Sequence, residues 1–425
     1  MNSDKIIYQN NEAFAKEMDA KDPLSKYRHL FHFPKDATGN PLLYFCGNSL
    51  GLQPKSVRNH IEQELSDWEN LGVEGHFHAK HPWMPYHEFL TEKMARIVGA
   101  KPIEVVVMNT LTVNLHLMMV SFYRPTKKKY KIVIEQSAFP SDQYAVQSQL
   151  KFHGYTIEDA LIELKPSNND IITNEDIEKV IAEHGDSIAL IMLGGVNYYT
   201  GQVFNMMRIT EMAHQKNIIV GFDLAHAAGN IDLQLHDWNV DFAVWCSYKY
   251  LNSGPGGIAG CFVHERHAKD DSLPRFAGWW GNNKQERFLM GANFNAIEGA
   301  EGWQLSNPPI LALASLRASL DIFDEAGMKN LITKSKLLTG YLEFLINAIK
   351  NDAIEIITPT NPIERGAQLS IRIKNSNKDF FHQLTATGVI CDWREPDVIR
   401  LAPVPLYNSF MDVYQFIQKL KSLLV

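Results

Sequence analysis

Short apolar runs recur along much of the chain, each ending in a polar cluster and each followed by a segment with apolar residues at helical spacing. Val105–Met108, Lys131–Glu135, Ile188–Leu193, Ile218–Asp223 and Asp241–Cys246 read as strands. Val113–Met119 and Met206–Lys216 read as helices between them. Such alternation predicts parallel β-α units, and in sheets of that kind ligands bind outside the carboxyl ends of the strands. The polar clusters fall at those ends. Upstream, residues 5–33 read as helices rich in charge and aromatics that close at Pro34, Tyr44-Phe45 as a short strand breaking into a Gly/Asn/Ser loop, and Pro54–Glu69 as a helix. From about Pro309 the pattern changes to long helices, 310–325 and 328–350, and then to alternating strands such as Gln368–Ile373.

Two strand ends carry candidate chemistry. The run Ile218–Asp223 stops at a carboxylate, and the run ending at Cys246 delivers Lys249 just before the turn Asn252-Ser253-Gly254-Pro255-Gly256-Gly257. A lysine becomes a nucleophile toward carbonyls when burial or neighbouring cations lower its pKa, which requires a sheltered site. Alone, Asp223 reads as a helix cap and Lys249 as a surface lysine. On two parallel strands they share one sheet edge, and an acid under a pyridinium nitrogen with a lysine at the aldehyde is the arrangement that pyridoxal phosphate (PLP) needs.

Composition narrows the field. With 425 residues, 45% hydrophobic and 21% charged, the chain suits a large globular domain with a smaller companion. A net charge of -7 and the absence of a long basic block beyond Lys127-Lys128-Lys129 speak against nucleic-acid binding. The four cysteines, at 46, 246, 261 and 391, form no C-x-x-C pair, so neither a zinc site nor a disulfide framework is expected. The polar start lacks the apolar core of a signal peptide, and no apolar run approaches membrane-spanning length. A soluble protein in a reducing, cytoplasmic compartment is the expectation. His76, His78 and His81 crowd one loop without a carboxylate or cysteine at helical spacing, so no metal is expected there and the loop reads as substrate-facing or plain surface.

The blocks FDLAHAAGN (Phe222–Asn230), WCSYKYLNSGPGGIAG (Trp245–Gly260) and SNPPI (Ser306–Ile310) resemble the kynureninase family, PLP enzymes of the aspartate aminotransferase superfamily, fold type I. The likeness runs from about Tyr44 to Phe410. It implies an α/β fold with a mainly parallel seven-stranded sheet in a large PLP-binding domain, residues 71–309, and a small α+β domain, residues 310–425. Residues 1–70 would form a helical segment packing with the small domain. The implied reaction is hydrolysis of the Cβ–Cγ bond of L-kynurenine, or its 3-hydroxy form, to anthranilate or 3-hydroxyanthranilate and L-alanine, in tryptophan breakdown or NAD synthesis. A homodimer with active sites at the interface is implied as well.

The resemblance also assigns residues. Lys249 holds PLP as a Schiff base and moves the α-proton; Asp223 keeps the ring nitrogen protonated, with His226 close to that acid. Leu111 and Thr112, in the block MN-x-LTVNLH, hold the phosphate, as the N-terminus of a helix is suited to do. Phe139 stacks on the pyridine ring beside Pro140, and Ser141 and Asp142 approach the cofactor. The Tyr248 phenol bonds phosphate and shuttles a proton. Trp279 and Asn307 reach the phosphate from the second subunit, and Asn307 and His76 also face the substrate's aromatic part. Arg400 grips the α-carboxylate, the alternative being an internal ion pair with Asp392 or Glu395. At Gly194 some relatives carry a serine that contacts the cofactor, and here Asn197 or a water takes over. Two rivals remain. A cysteine desulfurase needs an exposed thiolate, for which only Cys391 offers itself, and a non-catalytic PLP-binding regulator needs a further partner-binding domain.

Overall fold

The computed structural model describes residues 6–167, 170–374 and 377–424. The stretch read as helical over 5–33 contains one α-helix, α1 Glu12–Lys21, started by Asn11, whose side chain accepts from the Phe14 N–H; residue 5 lies outside the described residues. Pro23 then interrupts the helical pattern, and only a 3-10 turn, Ser25–Leu30, follows. The next long helix, α2 Val57–Leu71, begins three residues after Pro54.

The central sheet comprises β1 Val105–Val107, β2 Lys131–Glu135, β3 Leu161–Leu164, β4 Ile188–Gly194, β5 Ile219–Asp223, β6 Phe242–Trp245 and β7 Gly260–Val263, in the order β1-β7-β6-β5-β4-β2-β3. The pairs from β3 through β6 are parallel, while β7 runs antiparallel to both β1 and β6. The sheet is therefore mixed with a parallel majority. All seven residues of β4 are buried, which explains its unbroken apolar run: a central strand with both faces covered has no polar side to show. Successive side chains point to opposite faces. Ile132 and Ile134 join a cluster with Leu115 and Met118 of α3 Leu111–Phe122 and Val146 of α4 Pro140–Phe152. Val133 joins the opposite cluster, with Ile209 and Met212 of α5 Met206–His214.

Helix α6 Ile310–Ala326 packs on α2 and buries Leu313, Leu316 and Leu320 in that same second cluster. The following helix, α7 Met328–Asn347, helps to build a separate core. That core lies against an antiparallel sheet of β8 Ile354–Ile356, β9 Leu369–Ile373, β10 Asp392–Arg394 and β11 Val398–Leu401, in the order β10-β11-β9-β8. Phe416 and Ile417 of α8 Phe410–Leu423 complete it, and Phe14 and Ala15 of α1 pack into it from the other end of the chain. The two sheets meet where carbonyls of the loop after β4 accept hydrogen bonds from β9 and β11. Ser370 Oγ donates to the Tyr199 carbonyl at 2.6 Å and an Arg400 guanidinium nitrogen to the Tyr198 carbonyl at 2.7 Å.

Candidate active site

The carboxyl ends of β2, β4, β5 and β6 gather the polar residues. After β6 the chain turns sharply: the Ser247 hydroxyl lies 2.6 Å from the Ser253 hydroxyl, and Asn252 adopts a left-handed φ of 52°. That turn presents Lys249. Gly51 supports it from the amino-terminal loop, donating its N–H to the Tyr248 carbonyl at 2.8 Å. A Cβ at Gly51 would stand 2.3 Å from the Lys249 carbonyl oxygen, so the backbones meet there only because the residue is glycine.

Lys249 Nζ lies 2.9 Å from Nε2 of His226, which is buried, and 5.8 Å from the centre of the Phe139 ring. Burial pushes the imidazole well below its usual range, with the charges on Lys249, Arg400 and Arg394 acting in the same direction. A neutral ring that accepts at Nε2 carries its proton on Nδ1, and Nδ1 is buried without a partner. Asp223, at the end of β5, accepts the Ala225 N–H at 2.7 Å.

Two further carboxyls share this pocket. Burial raises Asp223 and Asp142, Asp142 the further because the Asp223 and Glu135 charges add to the effect, whereas the Ala225 N–H and Lys249 hold Asp223 back. Like charges at one site do not both ionise, so Asp142 carries the proton and Asp223 the charge. Glu135 ends β2, is fully buried, and is pushed up to about 7 by burial. Its oxygens accept the Gly194 N–H at 3.3 and 3.2 Å, and a Cβ at Gly194 would lie 3.0 Å from Glu135 Oε1. At Gly194, then, the space beside the backbone belongs to Glu135. Asn197 turns its side-chain oxygen to the N–H groups of Tyr199 and Thr200, both at 3.0 Å. Glu135 escaped the sequence reading although it carries the signal that marked Asp223, an apolar strand ending in a carboxylate.

The other assigned residues divide into two groups. Thr112 and Ser141 meet through their hydroxyls, 2.8 Å apart, bringing together the N-termini of α3 and α4. Neither helix has a side-chain cap. Thr110, just before α3, makes no cap bond through its hydroxyl, which leaves Leu111 and Thr112 in an open first turn. Phe139 precedes Pro140 and is 41% exposed, so its ring is no core aromatic but a free face in front of Lys249. The Tyr248 phenol is half-buried and raised in pKa by burial. These residues converge. His76, Trp279 and Asn307 do not join them within the single chain. His76 bonds the Val73 carbonyl at 2.9 Å and lies edge-on to Trp83. Trp279 is 44% exposed and donates to the Arg287 carbonyl at 3.0 Å, and Asn307 is exposed.

Arg400 is 1% exposed and ion-paired to Asp392, which realises the internal pairing weighed against a free carboxylate grip. Its Nε is buried without a partner. The cysteines offer no thiolate: burial pushes Cys46 up to about 12, and raises Cys246, Cys261 and Cys391 as well. Cys391 is buried, which removes the residue a desulfurase reading needs.

The donor set fits pyridoxal phosphate. Two uncapped helix N-termini carrying two hydroxyls suit a phosphate dianion, the exposed Phe139 face suits a pyridine ring, and a buried carboxylate and an amine stand at two further positions around that face.

Comparison with known proteins agrees with this chemistry. A family model described as the kynureninase C-terminal domain matches residues 331–420. The kynureninase of Koribacter versatilis is 60% identical over 413 residues, covering 97% of each chain, and that of Nematostella vectensis 51% identical over 432 residues, covering 96% of this chain and 93% of the relative. Among solved structures, the cysteine desulfurase of Thermococcus onnurineus NA1 superposes with a TM-score of 0.76 at 16% identity, over 96% of this chain and 97% of that one. A C-DES mutant with glycine covalently linked to its PLP cofactor does so with a TM-score of 0.78 at 17% identity, over 93% and 98%. At such identities the structures speak for the fold, whereas the full-length sequence matches place the chain itself: it belongs to the kynureninase family.

Proposed function

We propose that the Lys249 pocket carries out the family's reaction, with the roles given below. The reaction is PLP-dependent hydrolysis of the Cβ–Cγ bond of L-kynurenine, or of its 3-hydroxy form, to anthranilate or 3-hydroxyanthranilate and L-alanine, a step of tryptophan breakdown that also feeds NAD synthesis. When bound, pyridoxal phosphate supplies an electron sink for the pairs released as bonds to Cα and Cβ break. The chain supplies the rest. Lys249 anchors the cofactor and then carries the Cα proton, and neutral His226 at 2.9 Å is an acceptor that orients its amine. Asp223 keeps a proton on the pyridine nitrogen, and protonated Asp142 leaves the negative charge there on Asp223. Phe139 with Pro140 fixes the plane of the ring. Thr112, Ser141 and the first turn at Leu111 hold the phosphate. Tyr248 passes protons as water adds to the side-chain ketone, and Arg400 meets the α-carboxylate.

The same reading makes the enzyme a cytoplasmic homodimer in which Trp279 and Asn307 of one copy complete the other's phosphate site and Asn307 and His76 line the aromatic end. Phe276, Trp279, Phe288, Leu289 and Met290, all exposed on one segment, support a partner there. It divides the chain into 1–70, 71–309 and 310–425. No helix among the described residues is long and apolar enough to cross a membrane.

The observation that carries the proposal is the placement of Lys249 Nζ against buried His226 and before the free face of Phe139. Borohydride reduction of the PLP-loaded protein, followed by digestion and mass spectrometry, tests it. A pyridoxyl group on Lys249 is expected; the group on another lysine, or on none, would overturn the assignment.

A further inference from the structure

Arg400 shares its face of the small sheet with a second guanidinium. Asp392 and Arg400 are direct cross-strand partners, and Asp392 and Arg394 lie on one face of β10, whereas Trp393 between them packs against the core. Asp392 Oδ2 accepts from Arg400 and, at 3.0 Å, from Arg394. One carboxylate oxygen thus joins both cations. Each guanidinium retains a buried Nε–H with no acceptor. Two cations and one carboxylate leave one net positive charge, shared between a deeply buried Arg400 and an Arg394 whose side chain is 34% exposed, and on the buried side that charge is costly unless an anion completes it. The anion has a way in. Arg394 lines a cavity of about 630 Å³ together with Phe139, Asn197 and Tyr198, and its guanidinium lies 6.0 Å over the Tyr198 ring. Phe139 is the residue that faces Lys249. The other charged groups lining the cavity do not supply the anion: Asp170 is tied to Arg372 at 2.7 Å, and Glu395 and Lys378 are exposed.

We propose that Arg394 is a second carboxylate-binding guanidinium of the active site, taking the substrate's α-carboxylate jointly with Arg400, with Asp392 holding the two cations at a spacing that one carboxylate spans. The proposal rests on the kynurenine-cleaving reading above and adds a residue to it. Arg394, facing the cavity, meets the carboxylate first; Arg400, already bonded to the Tyr198 carbonyl, holds the far side. Because the three groups sum to a single positive charge, the subsite matches a monocarboxylate, and Asp392 repels a second acidic group.

Calorimetric titration of the PLP-loaded enzyme with two unreactive ketones separates this role from a structural one. The probes are 4-(2-aminophenyl)-4-oxobutanoate, which carries a carboxylate, and 1-(2-aminophenyl)butan-1-one, which lacks it. Arg394→Gln weakens binding of the first by about tenfold or more, the size of a lost charged hydrogen bond, and leaves the second within about twofold; Arg394→Lys falls between. In steady state, Arg394→Gln raises KM for L-kynurenine far more than it lowers kcat. Equal weakening of both probes, or of neither, would overturn the proposal. Failure of the unaltered enzyme to cleave kynurenine would instead overturn the reaction, and the split between the two probes would still decide for or against Arg394.

Discussion

Lys249 and Asp223 were visible in the sequence because each terminates an apolar run, and parallel pairing of β5 with β6 puts such ends side by side. The acid cluster behind them was not visible. Glu135 and Asp142 become neighbours of Asp223 only in the folded sheet, where β4 alone separates β2 from β5 and α4 follows β2, which no local pattern announces. Arg400 was correctly singled out as a cation that burial penalises, yet its partner Asp392 was legible only as one of two candidates, since register decides which acid stands opposite. Lys249→Ala should reduce kcat by roughly 100- to 10,000-fold, the usual contribution of general acid-base help, while a cofactor-reconstitution titration still detects weak PLP binding; retained turnover would remove Lys249 from the reaction. Glu135 yields a pH prediction. A carboxyl raised to about 7 in the fold keeps a proton that the unfolded chain, titrating near 4.5, has released. Stability therefore falls as pH rises from about 4.5 to 7, by on the order of 3 kcal/mol, and the loss is complete above 7. In the cofactor-free chain Glu135→Gln should flatten the melting temperature against pH over that window and exceed the unaltered chain in stability at pH 8. An unchanged slope would show that Glu135 is not strained by burial.

Among the elements, the parallel strands and the helices between them were readable because buried strands and amphipathic helices have distinct periods. Three features were not. The reversal of β7 leaves no local mark, because a strand buried on both faces looks the same in either direction. The interruption after α1 follows from Pro23, which the charged, aromatic pattern of residues 5–33 masked. The open first turn of α3 is likewise unmarked, because Thr110 before it has a side chain suited to capping but makes no cap bond. That open turn and the one of α4 are the phosphate cradle proposed above, so Thr112→Val combined with Ser141→Ala should weaken PLP binding about tenfold, about 1.4 kcal/mol, with the melting temperature of the cofactor-free chain little changed. Unaltered cofactor affinity would place the phosphate elsewhere. The thiols give an independent check on the desulfurase-like fold. Cys246, Cys261 and Cys391, buried and raised by burial, should react with thiol reagents at neutral pH only as fast as the native protein unfolds, half-buried Cys46, raised to about 12, should react slowly, and Cys391→Ala should leave turnover intact. A fast-reacting thiol would reopen sulfur chemistry.

For the molecule as a whole, the single chain assembles the pocket around Lys249 but leaves Trp279, Asn307 and His76 outside it. Their roles came from resemblance alone, and no sequence pattern says which surface a second copy covers. The exposed apolar segment around Phe288, Leu289 and Met290 is the surface proposed for it. Light scattering should give a mass near twice 48.3 kDa, and Leu289→Asp should lower both mass and activity. Mixing inactive Lys249→Ala and Asn307→Ala chains should restore part of the activity, because one of the two sites in a mixed dimer is whole; no recovery from a mixture that does form dimers would return Asn307 to its own subunit. A time course of the purified, PLP-loaded protein with L-kynurenine, following anthranilate by fluorescence and L-alanine in the same tube, should show both products rising in equal amounts. A cofactor spectrum that responds to kynurenine without release of anthranilate would contradict the carbon–carbon cleavage and leave only the PLP site standing.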